Sequence, residues 1–418
     1  MLDIKLFREK AEEVKEKLAK RQIDAKIVDE ILEIDEKKRE LITKLDNLRA
    51  EQKREKKKTK ESILRKKEIK NLEENLEKVK NEFEKLMLSL PNLPLDSVPL
   101  GKDETENKII KTYGEKPEFD FKPKPHWELA KKLDLIDQER SAKVSGSRFF
   151  YLKKDLVILE FALIQFVLEK LINKGFIPMI PPYLVKERAM YGTSFFPGAE
   201  ASEIYKVNPG EDDLYLIGTS EVSLINYHDN EILEEKNLPI HYLGFSPCFR
   251  REAGAYGKET KGIIRVHQFE KLEMVSFCKP EDSEKEHQLI LSLEEEIMQD
   301  LGFHYQVVEM CTGALGYPAA AKKFDIEVWL PGEGRYLELT SCSNCTDFQA
   351  RRLNIRYRKT PSKEEPKPKL NLVHTLNGTA CAISRTLVAI LENYQQKDGS
   401  IIVPEILRPY TVNIERIK

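Results

Sequence analysis

The sequence predicts an α+β protein, in which a long antiparallel α-helical coiled coil precedes a domain built on an antiparallel β-sheet flanked by helices. Residues 1–90 contain neither glycine nor proline, the residues that most often interrupt helices. Two apolar tracks at heptad spacing run through this segment. After residue 126, strand-like and helical segments mix without a regular βαβ rhythm, which favours an α+β arrangement.

The two apolar tracks predict two long helices that fold back on each other. The first track consists of Ile27, Ile31, Ile34, Leu41, Leu45 and Leu48. The second track consists of Ile69, Leu72, Leu76, Val79, Phe83, Leu86 and Leu90. A short polar stretch at about 55–62 separates the tracks, so we expect the chain to reverse there. About 30 residues in each helix would form a rod of ~45 Å.

Positive charge is concentrated where the two predicted helices meet. The chain as a whole has a net charge of −2, whereas residues 53–70 hold ten Lys or Arg against three Glu. A solvated helix face is one explanation of such a run. Excess charge at an exposed tip repels itself, however, and this favours a nucleic-acid partner. The residues that we expect to bind it are Lys53, Arg54, Lys56, Lys57 and Lys58.

Composition excludes several classes of protein. Charged residues make up 33% of the chain, and no apolar run approaches the ~20 residues that a membrane helix needs. The amino terminus lacks an apolar secretory core, so we expect a cytoplasmic protein without a membrane partner. The six cysteines form no disulfide-like framework, and the single CxxC of Cys342 and Cys345 is a weak zinc signal.

Prolines divide the chain into predicted domains. We expect a helical arm over residues 1–100, a proline-punctuated linker over 101–125 and the sheet domain over 126–418. The apolar run 156–172 predicts a helix buried on most sides, and an extended segment follows it up to Pro181-Pro182. Later segments alternate apolar and polar residues as strands do: 214–217, 241–249, 263–275, 324–330 and 336–340.

Two of these strands carry a group of charged and aromatic residues. Alternation places Arg250 and Glu252 on one face of the first strand. On one face of the second strand it places Arg265, His267, Phe269, Lys271 and Glu273. A hairpin would bring the two faces side by side. Arginine binds phosphate oxygens bidentately, and an exposed Phe can stack on adenine. A cross-strand ladder of ion pairs explains the same spacing equally well.

A run of small residues near the carboxyl terminus ends in an arginine. Residues 374–385 lead into an apolar helix, and a small-residue turn at that point would aim Arg385 at a ligand. The chain contains neither a GxGxxG motif after a strand nor a GxxxxGK[ST] loop, so any nucleotide site has another geometry.

These motifs together resemble the class II aminoacyl-tRNA synthetases. Phe249–Glu252 is similar to motif 2, the turn ending in Arg385 is similar to motif 3, and the helix and strand before Pro181-Pro182 are similar to motif 1, the dimer interface of that class. Six stretches resemble the seryl-tRNA synthetases in particular: 125–129, 145–149, 218–221, 265–273, 340–352 and 374–385. The resemblance covers the whole chain, including the arm.

The resemblance implies a role for each matching residue at the ATP end. It implies that Arg250 holds the α-phosphate, that Glu252 bonds the adenine and that Phe269 stacks on it. It implies that Arg385 clamps the nucleotide near the γ-phosphate and that Arg265 contacts the pyrophosphate, these three arginines being the catalytic residues. Mg²⁺ would be held by Glu338 and Ser341. The remaining residues of the predicted ATP site are Arg251, Leu339 and Thr340.

The resemblance also implies the amino-acid site and the partners. L-serine would be bound by Thr219, Ser220, Glu221, Glu273, Asn377 and Thr379. The implied activity is the ATP-dependent ligation of serine to tRNA(Ser), and to tRNA(Sec) where it exists, by a homodimer. Three alternatives remain: a synthetase-like RNA-binding protein without catalysis, an aminoacylase of carrier proteins, and a purely structural coiled coil. The first is expected to lack Arg250, Arg385 or Glu338, the second to lack the arm, and the third needs no arginine and carboxylate group.

Overall fold

The computed structural model describes residues 1–54, 60–253, 261–361 and 368–418. It divides the chain into two compact units, Met1–Pro94 and Leu95–Lys418. Among the described helices, none combines the length and the apolarity that crossing a bilayer requires. All six cysteines are free thiols in buried positions.

The N-terminal unit consists of two short helices and two long ones. These are α1 (Ile4–Glu9), α2 (Ala11–Lys20), α3 (Lys26–Arg54) and α4 (Lys60–Ser89). Helices α3 and α4 pack antiparallel, since Lys38 lies over the ring of Phe83 and Arg49 pairs with Glu73 at 2.6 Å. The predicted tracks supply the seam, in which Leu45, Ile69 and Leu76 are buried. The hairpin confirms the predicted coiled coil.

A buried acid at the base of this hairpin was not predicted from the heptad pattern. Asp35 is fully buried on α3, and Arg8 of α1 donates to its two carboxylate oxygens from Nε at 2.7 Å and from Nη2 at 2.8 Å. Arg39 adds a third contact at 3.1 Å. Burial opposes the ionisation of Asp35, but Arg8 and Lys38 together outweigh burial and hold the pKa of the carboxyl below its usual value. The pairing therefore joins α1 to α3.

The C-terminal unit mixes helices and strands. Its helices are α5 (His126–Lys132), α6 (Gln138–Ser145), α7 (Asp155–Asn173), α8 (Glu187–Gly192), α9 (Glu221–Asn226), α10 (Ser283–Asp300), α11 (Phe348–Leu353) and α12 (Ile383–Asn393). Its strands are β1 (Lys108–Tyr113), β2 (Ile136–Asp137), β3 (Tyr151–Leu152), β4 (Ile177–Met179), β5 (Leu184–Lys186), β6 (Lys206–Val207), β7 (Leu214–Leu216), β8 (Ile232–Glu234), β9 (Ile240–Phe249), β10 (Gln268–Cys278), β11 (Tyr305–Glu309), β12 (Lys322–Leu330), β13 (Arg335–Asn344), β14 (Arg356–Arg358), β15 (Leu370–Leu372), β16 (His374–Ala382), β17 (Ile401–Ile402) and β18 (Arg416–Ile417).

The principal sheet has eight strands in the order β1-β11-β12-β13-β16-β10-β9-β4. All neighbouring pairs are antiparallel except β4 with β9. Helices α7, α10 and α12 pack against one face, where Leu272 and Met274 of β10 join the main core. Alternation turns Lys271 and Glu273 of the same strand to the opposite face, which is therefore the polar face that carries the site.

Three boundaries differ from the prediction. The predicted linker 101–125 contains β1, which pairs with β11 at the edge of the principal sheet despite the prolines that follow it. The predicted strand 263–275 begins only at Gln268, so Arg265 precedes it. Residues 374–382 form strand β16 instead of a turn, because small residues suit the crowded centre of the sheet. There, a Cβ atom on Gly378 would lie 2.3 Å from Cγ2 of Ile290.

Candidate active site

The polar face of the principal sheet forms the floor of a cavity of about 580 Å³. Strands β9, β10, β13 and β16 all contribute side chains to it, together with the beginnings of α9 and α12. Most residues of the predicted site line it: Thr219, Glu221, Arg250, Glu252, Arg265, Phe269, Glu273, Glu338, Leu339, Ser341, Asn377, Thr379 and Arg385. The fold thus collects side chains that are far apart in sequence.

Arg250 and Phe269 lie beside each other at one end of the cavity. Residue 269 pairs with Cys248 across β9 and β10, so the guanidinium carbon of Arg250 lies 5.4 Å from the centre of the Phe269 ring. Nε of Arg250 donates to the carbonyl oxygen of Gly218 at 3.3 Å, and its two terminal nitrogens are further donors that can bind an anion. A cation beside an aromatic face suits a ligand that carries both phosphate and a base.

Glu252 is held in an uncommon backbone conformation. Its φ is +49°, in the left-handed region that residues other than glycine seldom occupy. Arg148 donates to its carbonyl oxygen at 3.0 Å, and Nη1 of Arg265 lies 3.2 Å from Oε2. Such strain persists only where the surroundings impose it, and it is found most often at ligand sites. Between the described parts of these two segments, the Arg265–Glu252 contact is an ion pair of the kind that the predicted ladder would contain.

A β-bulge brings Glu338 and Ser341 onto one face of β13. Asp325 of β12 pairs with Ser341 and Glu327 pairs with Glu338, so Leu339 is an additional residue. Without the bulge, residues three apart would point to opposite faces. Burial opposes the ionisation of Glu338, but Arg385 and Lys323 outweigh it and hold the pKa of this carboxyl below its ordinary value. Carboxylate and hydroxyl oxygens are donors that Mg²⁺ accepts.

A second bulge arranges the other end of the cavity. Leu272 of β10 pairs with Cys381, and the next residue, Glu273, pairs with Thr379, so that Ala380 is the additional residue. Thr379 consequently faces Glu273 and donates to its Oε2 at 3.3 Å. The ammonium group of Lys271 lies 2.5 Å from the same oxygen. This end combines carboxylates, a hydroxyl and an amide, which are the groups that bind an ammonium and a hydroxyl.

Glu221 lies in this polar end at the start of α9 and is 4% exposed. Burial, with a further contribution from the charge of Glu273, raises the pKa of Glu221 to about 7. A carboxyl with such a pKa changes charge near neutrality and responds strongly to a cationic ligand.

Three predicted side chains lie outside the cavity. Ser220 bonds the carbonyl oxygen of Gly244 at 3.4 Å, and Thr340 points to the helical face, where it donates to Glu294 at 3.1 Å. Arg251 is exposed. Strand β9 ends at Phe249, so the prediction that Arg250 and Glu252 share one strand face is wrong. On the arm, Lys53 and Arg54 are exposed at the end of α3, whereas Lys56, Lys57 and Lys58 lie outside the described residues.

The cavity also contains residues that the sequence did not single out as ligands. Lys323 lines it and pairs with Asp325 at 3.0 Å. Tyr317 and Phe195 enter it from loops, with ring centres 5.4 Å apart. Lys271 also lines the cavity. Alternation had placed it on the same strand face as Phe269 and Glu273, but it was given no role. Tyr317 and Phe195 carry no motif or periodicity, so nothing in their local sequence indicated them.

A separate buried group joins His126, Glu333 and Glu392, whose ligand atoms lie close enough to hold a metal ion. Nδ1 of His126 is 3.3 Å from Glu392 and 3.4 Å from Glu333. Nε2 accepts the backbone N–H of Ile263 at 3.4 Å, which places the ring proton on Nδ1. A protonated Nδ1 donates to the carboxylates and is no metal ligand, so hydrogen bonding accounts for this group.

The antiparallel sheet, the arginines grouped at one end of the cavity and the helix that follows β16 define a class II aminoacyl-tRNA synthetase. Residues 205–394 match the class II core domain of the synthetases for G, H, P, S and T, and residues 1–94 match the seryl-tRNA synthetase N-terminal domain. The chain belongs to the seryl-tRNA synthetase family, as the sequence predicted.

Full-length relatives support this assignment. The serine–tRNA ligase of Dictyoglomus turgidum is 47% identical over 432 residues, which cover 100% of this chain and 99% of the relative. The serine–tRNA ligase of Thermococcus sibiricus is 46% identical over 98% of this chain and 96% of the relative. The seryl-tRNA synthetase of Pyrococcus horikoshii, solved in complex with ATP, superposes with a TM-score of 0.91 at 44% identity, covering 100% of this chain and 99% of that structure.

Proposed function

We propose that this chain is a serine–tRNA ligase that activates L-serine with ATP and then transfers it to tRNA. The observation that carries the proposal is one cavity with arginines at one end and buried carboxylates at the other. The serine–tRNA ligases that align along the full length support it. Phosphate groups fit the first end, and an ammonium and a hydroxyl fit the second.

At the ATP end, Arg250 holds the α-phosphate, and Phe269 stacks on the adenine that Glu252 bonds. Arg385 binds near the γ-phosphate. Arg265, already directed by its contact with Glu252, reaches the pyrophosphate. Arginine suits each position because it stays charged at working pH and presents several donors in a fixed plane.

At the serine end, the ammonium of the substrate pairs with Glu221 and Glu273. Thr219, Asn377 and Thr379 contact its polar groups, with Thr379 near the hydroxyl. The contact between Thr379 and Glu273 orients both groups before serine arrives. A site whose buried polar groups are completed only by a hydroxyl discriminates against substrates that lack one.

In the first step, a carboxylate oxygen of serine attacks the α-phosphorus of ATP, and pyrophosphate leaves as seryl-adenylate forms. Serine is already ionised, so no protein base is needed. The site aligns the reactants and stabilises the negative charge that shifts toward the leaving group. In the second step, the 3′-hydroxyl of the terminal adenosine of tRNA attacks the carbonyl carbon, AMP leaves and the seryl ester forms.

Mg²⁺ fits beside Glu338 and Ser341, because the bulge places their oxygens on one face and Arg385 favours the ionised carboxylate. When bound, the ion neutralises phosphate charge. Glu338 and Ser341 would hold it, while Arg385 keeps Glu338 oriented through its backbone and side-chain contacts.

The arm binds tRNA(Ser), and tRNA(Sec) where the host has one, through Lys53, Arg54, Lys56, Lys57 and Lys58. An RNA duplex is recognised mainly through its shape, phosphates and 2′-hydroxyls, for which a basic tip is suited. The exposure of Lys53 and Arg54 supports this role. The residues that bind ATP and serine all belong to the C-terminal unit.

The active form is a homodimer in the cytoplasm. Strand β4 is the edge strand of the principal sheet in the described part of the chain. Phe161 of helix α7, which packs against β4, Ile177 of β4 and Ile180 just after it are 58%, 52% and 75% exposed. Such a patch beside an unpaired edge suits a second copy of the chain. Free buried thiols suit a reducing compartment. Sedimentation of the parent protein and of Phe161→Asp tests the dimer: the parent should sediment as a dimer and the variant as a monomer.

Serine-dependent exchange of pyrophosphate into ATP tests the activity directly. We expect exchange with serine, and charging of tRNA(Ser) in a second assay. Binding of tRNA without any exchange would instead identify a synthetase-like RNA-binding protein that lacks catalysis.

A further inference from the structure

Behind the polar end of the cavity, a chain of hydrogen bonds leads from Glu221 into the core. Oε1 of Glu221 accepts from the hydroxyl of Tyr317 at 2.9 Å and from Nε2 of Gln349 at 2.8 Å. Nε2 of Gln349 also lies 3.0 Å from the Tyr317 hydroxyl. Thr375 closes the chain by donating to Oε1 of Gln349 at 2.6 Å. Glu221, Gln349 and Thr375 are all buried.

The hydrogen bonds from Tyr317 and Gln349 both reach the same oxygen of Glu221, Oε1. Two donors converge on Oε1, whereas Oε2 takes no hydrogen bond from the residues that the structure describes. Because Glu221 lines the cavity, Oε2 is the oxygen that remains for a ligand. The bond from Thr375 fixes the amide of Gln349, so that its N–H, and not its carbonyl, points at the carboxylate.

We infer that Tyr317 and Gln349 are serine-positioning residues, which hold Glu221 so that Oε2 faces the ammonium of the substrate. This inference rests on the proposed function, since it concerns the serine end of the same site. Both residues act through Glu221. They lie on separate elements, a loop before β12 and helix α11, and neither was among the residues expected to bind serine.

The Tyr317 hydroxyl can form a hydrogen bond with Glu221 in either protonation state of that carboxyl. The hydroxyl has one hydrogen but two acceptors in reach, Oε1 of Glu221 and the carbonyl oxygen of Thr193. When Glu221 is protonated, the carboxyl donates to Tyr317 and Tyr317 donates to Thr193. When Glu221 is ionised, rotation of the hydroxyl directs the tyrosine proton to the carboxylate. The same side chain thus stabilises both states.

Serine binding should therefore be linked to proton release. The charged groups that act on Glu221 are Glu273, which favours its protonated form, and Lys271, which favours its ionised form. A bound ammonium adds a positive charge and moves Glu221 to the ionised form. Loss of the Tyr317 hydroxyl removes an acceptor from the protonated form and a donor from the ionised form. Because a hydrogen bond to a charged group is the stronger of the two, the loss should weaken serine binding and shift its pH dependence upward.

Steady-state pyrophosphate exchange on the full chain tests this inference with Tyr317→Phe and Gln349→Met, which keep the ring and the chain length. Because a hydrogen bond to a charged group is lost, we expect the KM for serine to rise roughly tenfold or more, with the KM for ATP changed less than about twofold. In Tyr317→Phe, the pH midpoint for serine should also move upward.

Tyr336→Phe is the matched control, because it removes a hydroxyl that bonds His304 at 2.7 Å and lies outside the cavity. It should leave both KM values unchanged. If the parent is active and both Tyr317→Phe and Gln349→Met keep the parental KM for serine, the inference is wrong, while the proposed function stands. Equal increases for serine and ATP would do the same, since they indicate general damage. A parent without serine-dependent exchange would overturn the proposed function and, with it, this inference.

Discussion

Arg385 contacts Glu338 twice: its Nη1 donates to the carbonyl oxygen of Glu338 at 2.8 Å and lies 3.4 Å from the carboxylate oxygen Oε2. Arg385 belongs to the first turn of α12, and Glu338 belongs to β13, two strands away from β10. A single guanidinium therefore fixes both the backbone and the charge of the residue that we propose as a ligand of Mg²⁺. The nucleotide clamp and the metal site that we propose therefore share this contact.

Removal of an arginine from this clamp should nearly abolish activation. We expect Arg385→Ala, and separately Arg250→Ala, to lower pyrophosphate exchange by about 10²–10³-fold, because each removes a donor to charge that develops in the transition state. Arg416→Ala is the control, since Arg416 pairs with Asp398 on the surface. Near-parental exchange in either clamp variant, with the fold intact by circular dichroism, would contradict the assignment.

Serine activation should depend on pH through Glu221. The carboxyl, whose pKa burial raises to about 7, is neutral below that pH and cannot pair with an ammonium. The kcat/KM for serine should accordingly increase as pH rises through about 7 and then level off. Glu221→Gln, which stays neutral, should have a low and pH-independent value over the same range. If Glu221→Gln kept the parental pH dependence of kcat/KM, the titrating group would be a residue other than Glu221.

Alanine should be a very poor substrate. Its methyl group leaves the buried polar atoms near Thr379 and Glu273 without a partner, and rejection on this basis reaches about 10⁴-fold. Thr379→Val should lower the ratio of kcat/KM for serine to kcat/KM for alanine, chiefly by lowering the value for serine. The measurement is kcat/KM for each amino acid in pyrophosphate exchange. Similar values for serine and alanine in the parent enzyme would mean that this end of the cavity has another ligand.

Activation and transfer should be separable by removing the arm. Replacement of residues 27–90 by a short linker should leave pyrophosphate exchange nearly unchanged, because the cavity lies wholly in the C-terminal unit. Charging of tRNA should collapse in the same protein. Equal losses of both activities would indicate that the arm supports the fold, and unchanged charging would exclude it from tRNA binding.

Charge neutralisation tests the basic tip more finely. Changing Lys53, Arg54, Lys56, Lys57 and Lys58 to Gln should weaken tRNA binding and flatten its dependence on salt, since fewer counterions are released. Changing Lys78, Lys80 and Lys85, which lie toward the other end of α4, to Gln is the control for general loss of charge. An equal effect from both sets would contradict recognition at the tip.

Several features of this protein followed from local sequence. The heptad tracks predicted both long helices, because a seam of apolar side chains on a charged helix can be buried only against a similar seam. Arg250 was expected to face a ligand, and it does line the cavity, although β9 ends one residue before it. Phe269 and Glu273 were assigned to one face, and they line the cavity together. The resemblance of short motifs then indicated the family, which full-length relatives confirm.

Other features were decided only by tertiary structure. Alternation alone separates Glu338 from Ser341, and the bulge that unites them depends on how β12 pairs with β13. Strand β1 lies in a segment whose prolines predicted a linker. The local sequence did not predict this strand, because its pairing partner, β11, is almost 200 residues away. Tyr317 and Gln349 reach Glu221 from distant elements, so no local period could indicate them. Periodicity determines which face a side chain takes, whereas register and loop closure determine which side chains meet.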